Sequence, residues 1–318
     1  MVTKKGYKLS KSEVTSIKYL SGSPRYICNA PFTSMSVGIN GYVSPCCYTQ
    51  SFYAEDEGFD RYPEQSLQEI WNGKNYRKFR KMIRKNRLPR ECSICYDGIR
   101  NQQFDSLKMH MFNHLRPKND QPVFLEITID NTCNLECVMC SSMLSSKIAA
   151  RENVKFPHFV NHAQFKKEMS EWIPDLQEVV FSGGEPFLSK IYLDLFREIV
   201  HKNPDCLISV NTNGNILSDD IKSLMKQGRF HLNISIDSLI KERYEKIRKG
   251  GSFETLQKNL AFFQEYAQDK GISLSIPVCP LICNFDEIGN MVRYCNENGI
   301  YFDIVHVFNA WDMALRYA

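Results

Sequence analysis

No apolar run in this 318-residue chain approaches the ~20 residues that a membrane-spanning helix needs. The first residues, MVTKKGYKLSKSE, are basic but lack the apolar core of a secretory signal. Neither sign of charge dominates, since 40 Lys and Arg stand against 36 Asp and Glu, a net charge of +4. So small an imbalance points to no membrane and no nucleic acid as partner. The glycine fingerprint of a dinucleotide-binding fold is missing after the first strand of the C-terminal part, which argues against a doubly wound sheet. These absences put the expected compartment in the cytoplasm. There, twelve cysteines are expected to serve metal binding and catalysis rather than disulfides. An apolar content of 43% with 24% charged residues is ordinary for a globular chain, and the length suits one large domain plus a small one.

The chain is organised around CNLECVMC, with thiols at Cys133, Cys137 and Cys140. The stretch follows the apolar run 123–129 and precedes a helix-like segment at 143–151, so the thiols sit on a loop leaving a strand. Thiolates are soft ligands that suit iron–sulfur clusters. A zinc site wants a fourth ligand nearby, and the next fifty residues offer only His158 and His162, both awkwardly placed. Three ligands on a cluster of four irons leave one iron open.

From Pro122 onward, apolar strands alternate with helical patterns. The expected strands are 123–129, 177–182, 206–211, 231–236, 272–279 and 300–306. Helices are expected near 161–173, 190–201, 218–227, 253–268 and 285–298. Such alternation implies a parallel sheet. Strand parity sorts the residues further. In HLNISID, His231, Asn233, Ser235 and Asp237 share one face, against Leu232, Ile234 and Ile236. Glu126, Thr128 and Asp130 oppose Leu125, Ile127 and Ile129, and Ser209, Asn211 and Asn213 oppose Ile208 and Val210. With helices outside, the polar faces line an interior able to hold a ligand. The phrase FSGGEP brings Gly183, Gly184 and Glu185 to the end of the second strand. Glycines there let the backbone approach a bound molecule, and the carboxylate can accept from an ammonium.

The Cx3Cx2C spacing, followed one strand–helix unit later by Gly-Gly-Glu, resembles the signature of the radical S-adenosylmethionine (SAM) superfamily. The resemblance implies an α/β fold whose core is a partial (β/α)6 TIM-like barrel at 116–318, with the active site at the C-terminal mouth. It implies a 4Fe–4S cluster on Cys133, Cys137 and Cys140, with SAM chelating the fourth iron through its amine and carboxylate. One electron then cleaves SAM to methionine and a 5′-deoxyadenosyl radical, which takes hydrogen from a substrate C–H bond. Gly183, Gly184 and Glu185 are similar to the motif that binds the amino group of SAM. NTNG at 211–214, with Asn213, and SIDS at 235–238, with Ser235 and Asp237, resemble the strand ends that contact its ribose and carboxylate. Arg248 matches an arginine that pairs the carboxylate. Met139 departs from the usual aromatic residue before the third cysteine; its polarizable thioether takes the place beside adenine.

The N-terminal part carries a second cysteine set. An alternating stretch from Tyr26, an Asn40-Gly41 turn and a second strand read as a hairpin, which Cys28 opens and Cys46 and Cys47 close. SLQEIWNG reads as a short helix capped by Ser66. A basic helix follows with Tyr76, Phe79, Met82 and Ile83 on one face, and Pro89 ends it before Cys92 and Cys95. Its face of Lys74, Arg77, Lys78, Arg80, Lys81, Arg84 and Lys85 is a solvated surface or an attraction for phosphate. The cysteine spacing and SLQEIWNG resemble the cluster-binding extensions called SPASM or twitch domains. The resemblance implies an auxiliary 4Fe–4S cluster on Cys28, Cys46, Cys92 and Cys95 in a small cysteine-rich α+β twitch-type domain at 21–115, after an N-terminal segment at 1–20. On ligands alone a four-cysteine zinc ribbon is the alternative, and Cys47 is open as a replacement for Cys46.

The expected activity is therefore that of a radical SAM oxidoreductase or epimerase, fed by an electron donor such as flavodoxin or ferredoxin. Residues 1–25 are too few for a peptide-recognition domain. That favours a sugar, nucleotide sugar or other small metabolite, phosphorylated or nucleotide-linked, over a ribosomal peptide. Peptide modification is the alternative, and a non-enzymatic iron–sulfur sensor or carrier the third reading. In ISLSIPVCP, parity sets Ser273, Ser275, Pro277 and Cys279 on one face, so Cys279 is expected to point into the lumen as a catalytic hydrogen donor. Cys283 and Cys47 are the other thiols for that role.

Overall fold

Which residues alternate, and with what period, decides most of the observed elements. The computed structural model describes residues 6–21, 26–50, 60–156 and 159–305; His158, the acidic loop after Cys47 and the His306 end of the last expected strand lie outside them. The chain packs as two units, Met1–Ile129 with Phe159–Val179, and Asp130–His158 with Val180–Ala318.

In the first unit, the expected hairpin forms from Ser34–Val37 and Tyr42–Ser44, with Gly41 at a φ of 82° in the turn. The stretch before it is not strand. Ala30–Thr33 is a short helix with Pro31 in its first turn, because proline removes a ladder donor but suits a helix start. Ser34–Val37 pairs in parallel with Phe124–Ile127 on its other side. Leu67–Trp71 is the helix capped by Ser66, in a full capping box with Glu69. Lys74–Arg84 buries Tyr76, Phe79 and Ile83 as its period requires. Part of its basic face is used in packing: Arg80 donates to Pro31 O (2.8 Å) and Trp71 O (3.0 Å) and lies 4.2 Å from the Trp71 ring.

From Gly6 on, the N-terminal segment at 1–20 is more ordered than a basic leader to the small domain would suggest. Tyr7–Lys8 pairs antiparallel with Arg87–Leu88, and Lys11–Ser21 is a helix that buries Ile17 completely. Ile17 joins Tyr7, Leu9, Ile27, Ile83 and Leu88 in one apolar cluster. A single fully buried side chain on an otherwise polar helix leaves little periodic signal to read.

All six strands and five helices of the C-terminal reading form. The strands are Phe124–Ile127, Glu178–Phe181, Leu207–Thr212, Arg229–Ile234, Leu274–Val278 and Tyr301–Ile304. Between them run His162–Trp172, Lys190–Lys202, Asp219–Gln227, Phe253–Lys270 and Ile288–Glu297. Within the second unit the last four strands pair in parallel, in chain order. The architecture is α/β, as expected, and agrees with a partial barrel. Parity holds along Arg229–Ile234: Phe230, Leu232 and Ile234 are fully buried, while His231 and Asn233 are half-buried. Phe230 packs edge-on to Phe196 of Lys190–Lys202, and its N–H donates to Tyr266 of Phe253–Lys270. The apolar face is thus the helix-covered one. Among the described residues no helix is long and apolar enough to cross a membrane.

Candidate active site

The loop bearing Cys133, Cys137 and Cys140 is fastened within the second unit from several sides. Ser145 caps Ser146–Arg151 and its hydroxyl donates to Leu135 O (2.7 Å). Cys133 N–H donates to Ser146 Oγ (3.0 Å), and Asn131 Nδ2 to Ser142 O (3.2 Å). Glu136–Cys137 pairs antiparallel with Arg248–Lys249, setting Cys137 opposite Arg248. All three thiols are half-buried and free.

Their chemistry fits a cluster. Burial pushes the Cys133 thiol up to about 11, the Cys140 thiol to about 12, and Cys137 upward as well. Bare thiols in this loop therefore stay protonated, and thiolates form when a metal group supplies positive charge. Two donors already point at sulfur: Leu135 N–H at Cys133 Sγ (3.4 Å) and Arg248 Nη1 at Cys137 Sγ (3.7 Å). Hydrogen bonds to ligand sulfur are a usual feature of iron–sulfur sites. Among the described residues no three His, Cys, Asp or Glu side chains stand as a site for a single metal ion.

The Gly-Gly-Glu turn clamps this loop. Gly184 N–H donates to Leu144 O (3.1 Å) and Glu185 N–H to Thr132 O (2.7 Å). Gly183 and Gly184 have φ of 81° and 56°, and a Cβ on Gly184 would lie 2.4 Å from Thr132 O. The close approach expected toward a ligand is made here to the cysteine loop itself. Glu185 is fully buried and turned inward. It accepts from Thr212 Oγ1 (2.8 Å), Phe187 N–H (3.1 Å) and Asn213 N–H (2.7 Å). Its carboxylate thereby ties the ends of two strands together.

Burial raises the Glu185 carboxyl to about 7, against the three donors, which lower it. The folded chain then binds this proton more tightly than the unfolded chain. Stability should fall as pH rises from the usual carboxylate range through about 7 and stay lower above it. A shift of this size corresponds to about 3 kcal/mol for a fully buried group. Urea midpoints of the metal-free chain between pH 4.5 and 8, compared with Glu185→Gln, test this; an identical pH slope in both would remove Glu185 as the cause.

Around this turn the other expected residues come together. Asn213 donates from Nδ2 to Asn134 Oδ1 (2.9 Å), and Asn215 donates to Tyr244 Oη (2.7 Å). Ser235 is half-buried and its N–H donates to Thr212 O (2.9 Å). Met139 is half-buried on the cysteine loop. Asp237, fully buried, lies 2.7 Å from Arg248 Nη2 in an ion pair. Its Oδ1 accepts from Cys279 N–H (2.8 Å). Cys279 is half-buried on the face that parity assigned it, and burial with the nearby Asp237 charge pushes its thiol to about 11. Sequence reasoning missed Asn134, Thr212, Asn215, Tyr244 and Asn284. Asn134 lies inside CNLEC, and parity alone left its partner unknown; Asn284 donates to Asp237 O (2.8 Å) and Cys279 O (3.0 Å).

Deeper along the same strands runs a polar wall. His231 meets Asn233 Oδ1 (3.1 Å), Ser275 Oγ (3.2 Å) and Ser273 Oγ (3.4 Å), and Asn233 donates to Asn211 Oδ1 (2.8 Å).

The first unit holds the second cysteine site. Cys28, Cys46, Cys92 and Cys95 line one cavity of about 40 Å³ with Phe79 and Met109. That exceeds the ~10–15 Å³ a single water requires. Burial pushes the Cys28 thiol to about 12 and Cys92 well above its usual value. Backbone N–H groups of Met109 and Lys108 bond Cys95. Four thiols lining one apolar cavity fit a cluster. Cys47 is not among the lining residues. Its thiol bonds Cys46 and Glu126, and Glu126, raised by burial, also bonds Ser36. Glu126 therefore serves the cysteine site of the first unit.

Comparison with known proteins gives a family match over each of the two cysteine-bearing stretches. Residues 127–295 match the family described as Radical SAM superfamily, and residues 28–96 match SPASM, an iron–sulfur cluster-binding domain. A GTP 3′,8-cyclase of Clostridium botulinum is 30% identical over 142 residues, 43% of this chain and 43% of that protein. The enzyme of the same name from Peptoclostridium acidaminophilum is 29% identical over 181 residues, 56% and 53% of the two chains. This chain thus spans about half the length of the curated relatives it matches. Among solved structures, Streptococcus suis SuiB bound to S-adenosylmethionine is 17% identical, with a TM-score of 0.48, covering 78% of this chain and 56% of SuiB.

Proposed function

The chain belongs to the radical SAM superfamily, and from that premise we propose that it removes hydrogen from a C–H bond of a hydroxyl-rich small metabolite of the sugar, nucleotide or nucleotide-sugar class. Its cofactors are S-adenosylmethionine and two 4Fe–4S clusters. When bound, the SAM-binding cluster supplies one-electron chemistry that yields a carbon-centred radical.

In this reading Cys133, Cys137 and Cys140 hold the catalytic cluster, and Cys28, Cys46, Cys92 and Cys95 the auxiliary one. The auxiliary module extends over 21–115 and the barrel module over 116–318. Gly183 and Gly184 let the turn dock on the cysteine loop, while Glu185 fixes the strand ends carrying Thr212 and Asn213. Asn213, Ser235, Asp237, Arg248 and Met139 surround SAM. Cys279 is the thiol that would return a hydrogen atom to the substrate carbon in an epimerisation, the external electron donor then restoring it with one electron and a proton; in an oxidation the group held by Cys28, Cys46, Cys92 and Cys95 would accept the electron. A small reduced flavin or iron–sulfur protein such as flavodoxin or ferredoxin feeds the reaction.

The observation that carries the substrate class is the polar wall of His231, Asn233, Asn211, Ser273 and Ser275. Imidazole, amide and hydroxyl groups set side by side suit the hydroxyls of a small metabolite. The likeness to GTP 3′,8-cyclases over about half of this chain supports a nucleotide within that class.

The test is a substrate panel with anaerobically reconstituted protein, SAM and dithionite, scoring 5′-deoxyadenosine. A nucleotide or sugar nucleotide should raise its formation, with deuterium moving from labelled substrate into it. Stimulation by peptides alone would replace this substrate class with peptide modification.

A further inference from the structure

Arg248 reaches a carboxylate and a cysteine sulfur with one guanidinium. Nη2 lies 2.7 Å from Asp237 Oδ2, and Nη1 lies 3.7 Å from Cys137 Sγ. Nε has no hydrogen-bond partner among the described residues. Arg248 is 8% exposed and Asp237 0%. The placement is built into the backbone. Arg248 and Cys137 are register partners in the short antiparallel pair, which sets their Cα atoms opposite each other. Asp237 is pinned as well, by Cys279 N–H on its carboxylate and Asn284 Nδ2 on its carbonyl.

We propose that the Arg248–Asp237 pair sets the reduction potential of the cluster that Cys137 helps to hold, Arg248 raising it and Asp237 limiting the rise. Reduction adds a negative charge to a cluster. A buried cation that also donates N–H to a ligand sulfur stabilises the reduced form, since cluster charge, hydrogen bonds to sulfur and solvent exposure govern potential. A carboxylate at 2.7 Å from the same cation opposes that stabilisation, and in a poorly solvated site neither effect is screened away. Arg248 acts here through Cys137 and is a positioning residue. The inference rests on Cys137 as a cluster ligand.

The experiment is a redox titration of the reconstituted full chain followed by electron paramagnetic resonance. The signal that changes on adding SAM identifies the catalytic cluster. Arg248→Gln should move its midpoint to lower potential, and Asp237→Asn to higher potential. Arg248→Lys, which keeps the charge but loses the planar fork, should fall between wild type and Arg248→Gln. A purely structural role predicts loss of iron or broadened signals without opposite shifts. Unchanged midpoints, or shifts of the same sign in the Gln and Asn variants, overturn the proposal. Should Arg248→Gln lose its iron, Asp237→Asn decides alone: an upward shift supports the proposal, and no shift or a downward one overturns it. Absence of any SAM-sensitive signal in the wild type would instead remove the ligand assignment of Cys137 and this inference with it.

Discussion

Replacing Cys133, Cys137 and Cys140 together with Ala is expected to abolish 5′-deoxyadenosine formation under dithionite while leaving roughly half of the iron and sulfide. The arithmetic follows from two cysteine sets with no member in common. One lies on the loop clamped by Ser145, Gly184 and Glu185; the other lines the cavity of Cys28, Cys46, Cys92 and Cys95. Burial raises all three thiols, so the positive charge of a bound metal group is what would draw them to the thiolate form. Iron and sulfide analysis, with the visible band that bleaches on reduction, reads the remainder. Undiminished SAM cleavage in the triple variant would end the proposed ligand set. Zinc without sulfide in the remainder would turn the cavity of the first unit into a zinc ribbon.

The same contrast between sites shows what can be read from residues in order. The six strands were legible because their periods are local: one residue of parity decides a face, and Leu232, Ile234 and Ile236 lie where parity put them. The cysteine spacings were legible for the same reason, since the chemistry of a thiol set depends on few residues. What the sequence could not show is where a side chain spends its hydrogen bonds. Glu185 reads as an acceptor for an ammonium, yet its oxygens face Thr212, Asn213 and Phe187, residues 2 to 28 positions away. Glu126 reads as part of a barrel interior, yet it bonds Cys47 and Ser36. The Lys11–Ser21 helix hid because one residue, Ile17, carries its fully buried contact, and the residues that receive it are distant in sequence. Arg248 and Asp237 were both picked out as ligand contacts; that they pair with each other, beside Cys137, is a tertiary fact.

Gly184→Ala is expected to strip the catalytic cluster while sparing the auxiliary one. An added Cβ would lie 2.4 Å from Thr132 O, 2.8 Å from Asn131 C and 2.9 Å from Thr132 C. All three are backbone atoms, so no rotamer relieves the overlap, and the φ of 56° adds about 1 kcal/mol of left-handed strain. The loop must then move at the residue next to Cys133, and the bonds from Gly184 to Leu144 O and Glu185 to Thr132 O go with it. A displacement of this kind at a pre-organised site costs at least about tenfold in SAM cleavage. Gly271 provides the control. It has a similar φ of 60° at the end of Phe253–Lys270, but a Cβ there meets nothing within 4 Å. Gly271→Ala should therefore show the backbone strain alone, a lower urea midpoint with full iron and wild-type cleavage. Gly184→Ala with full iron and wild-type cleavage would mean that the turn need not dock on the cysteine loop, and that its glycines serve the bound ligand instead.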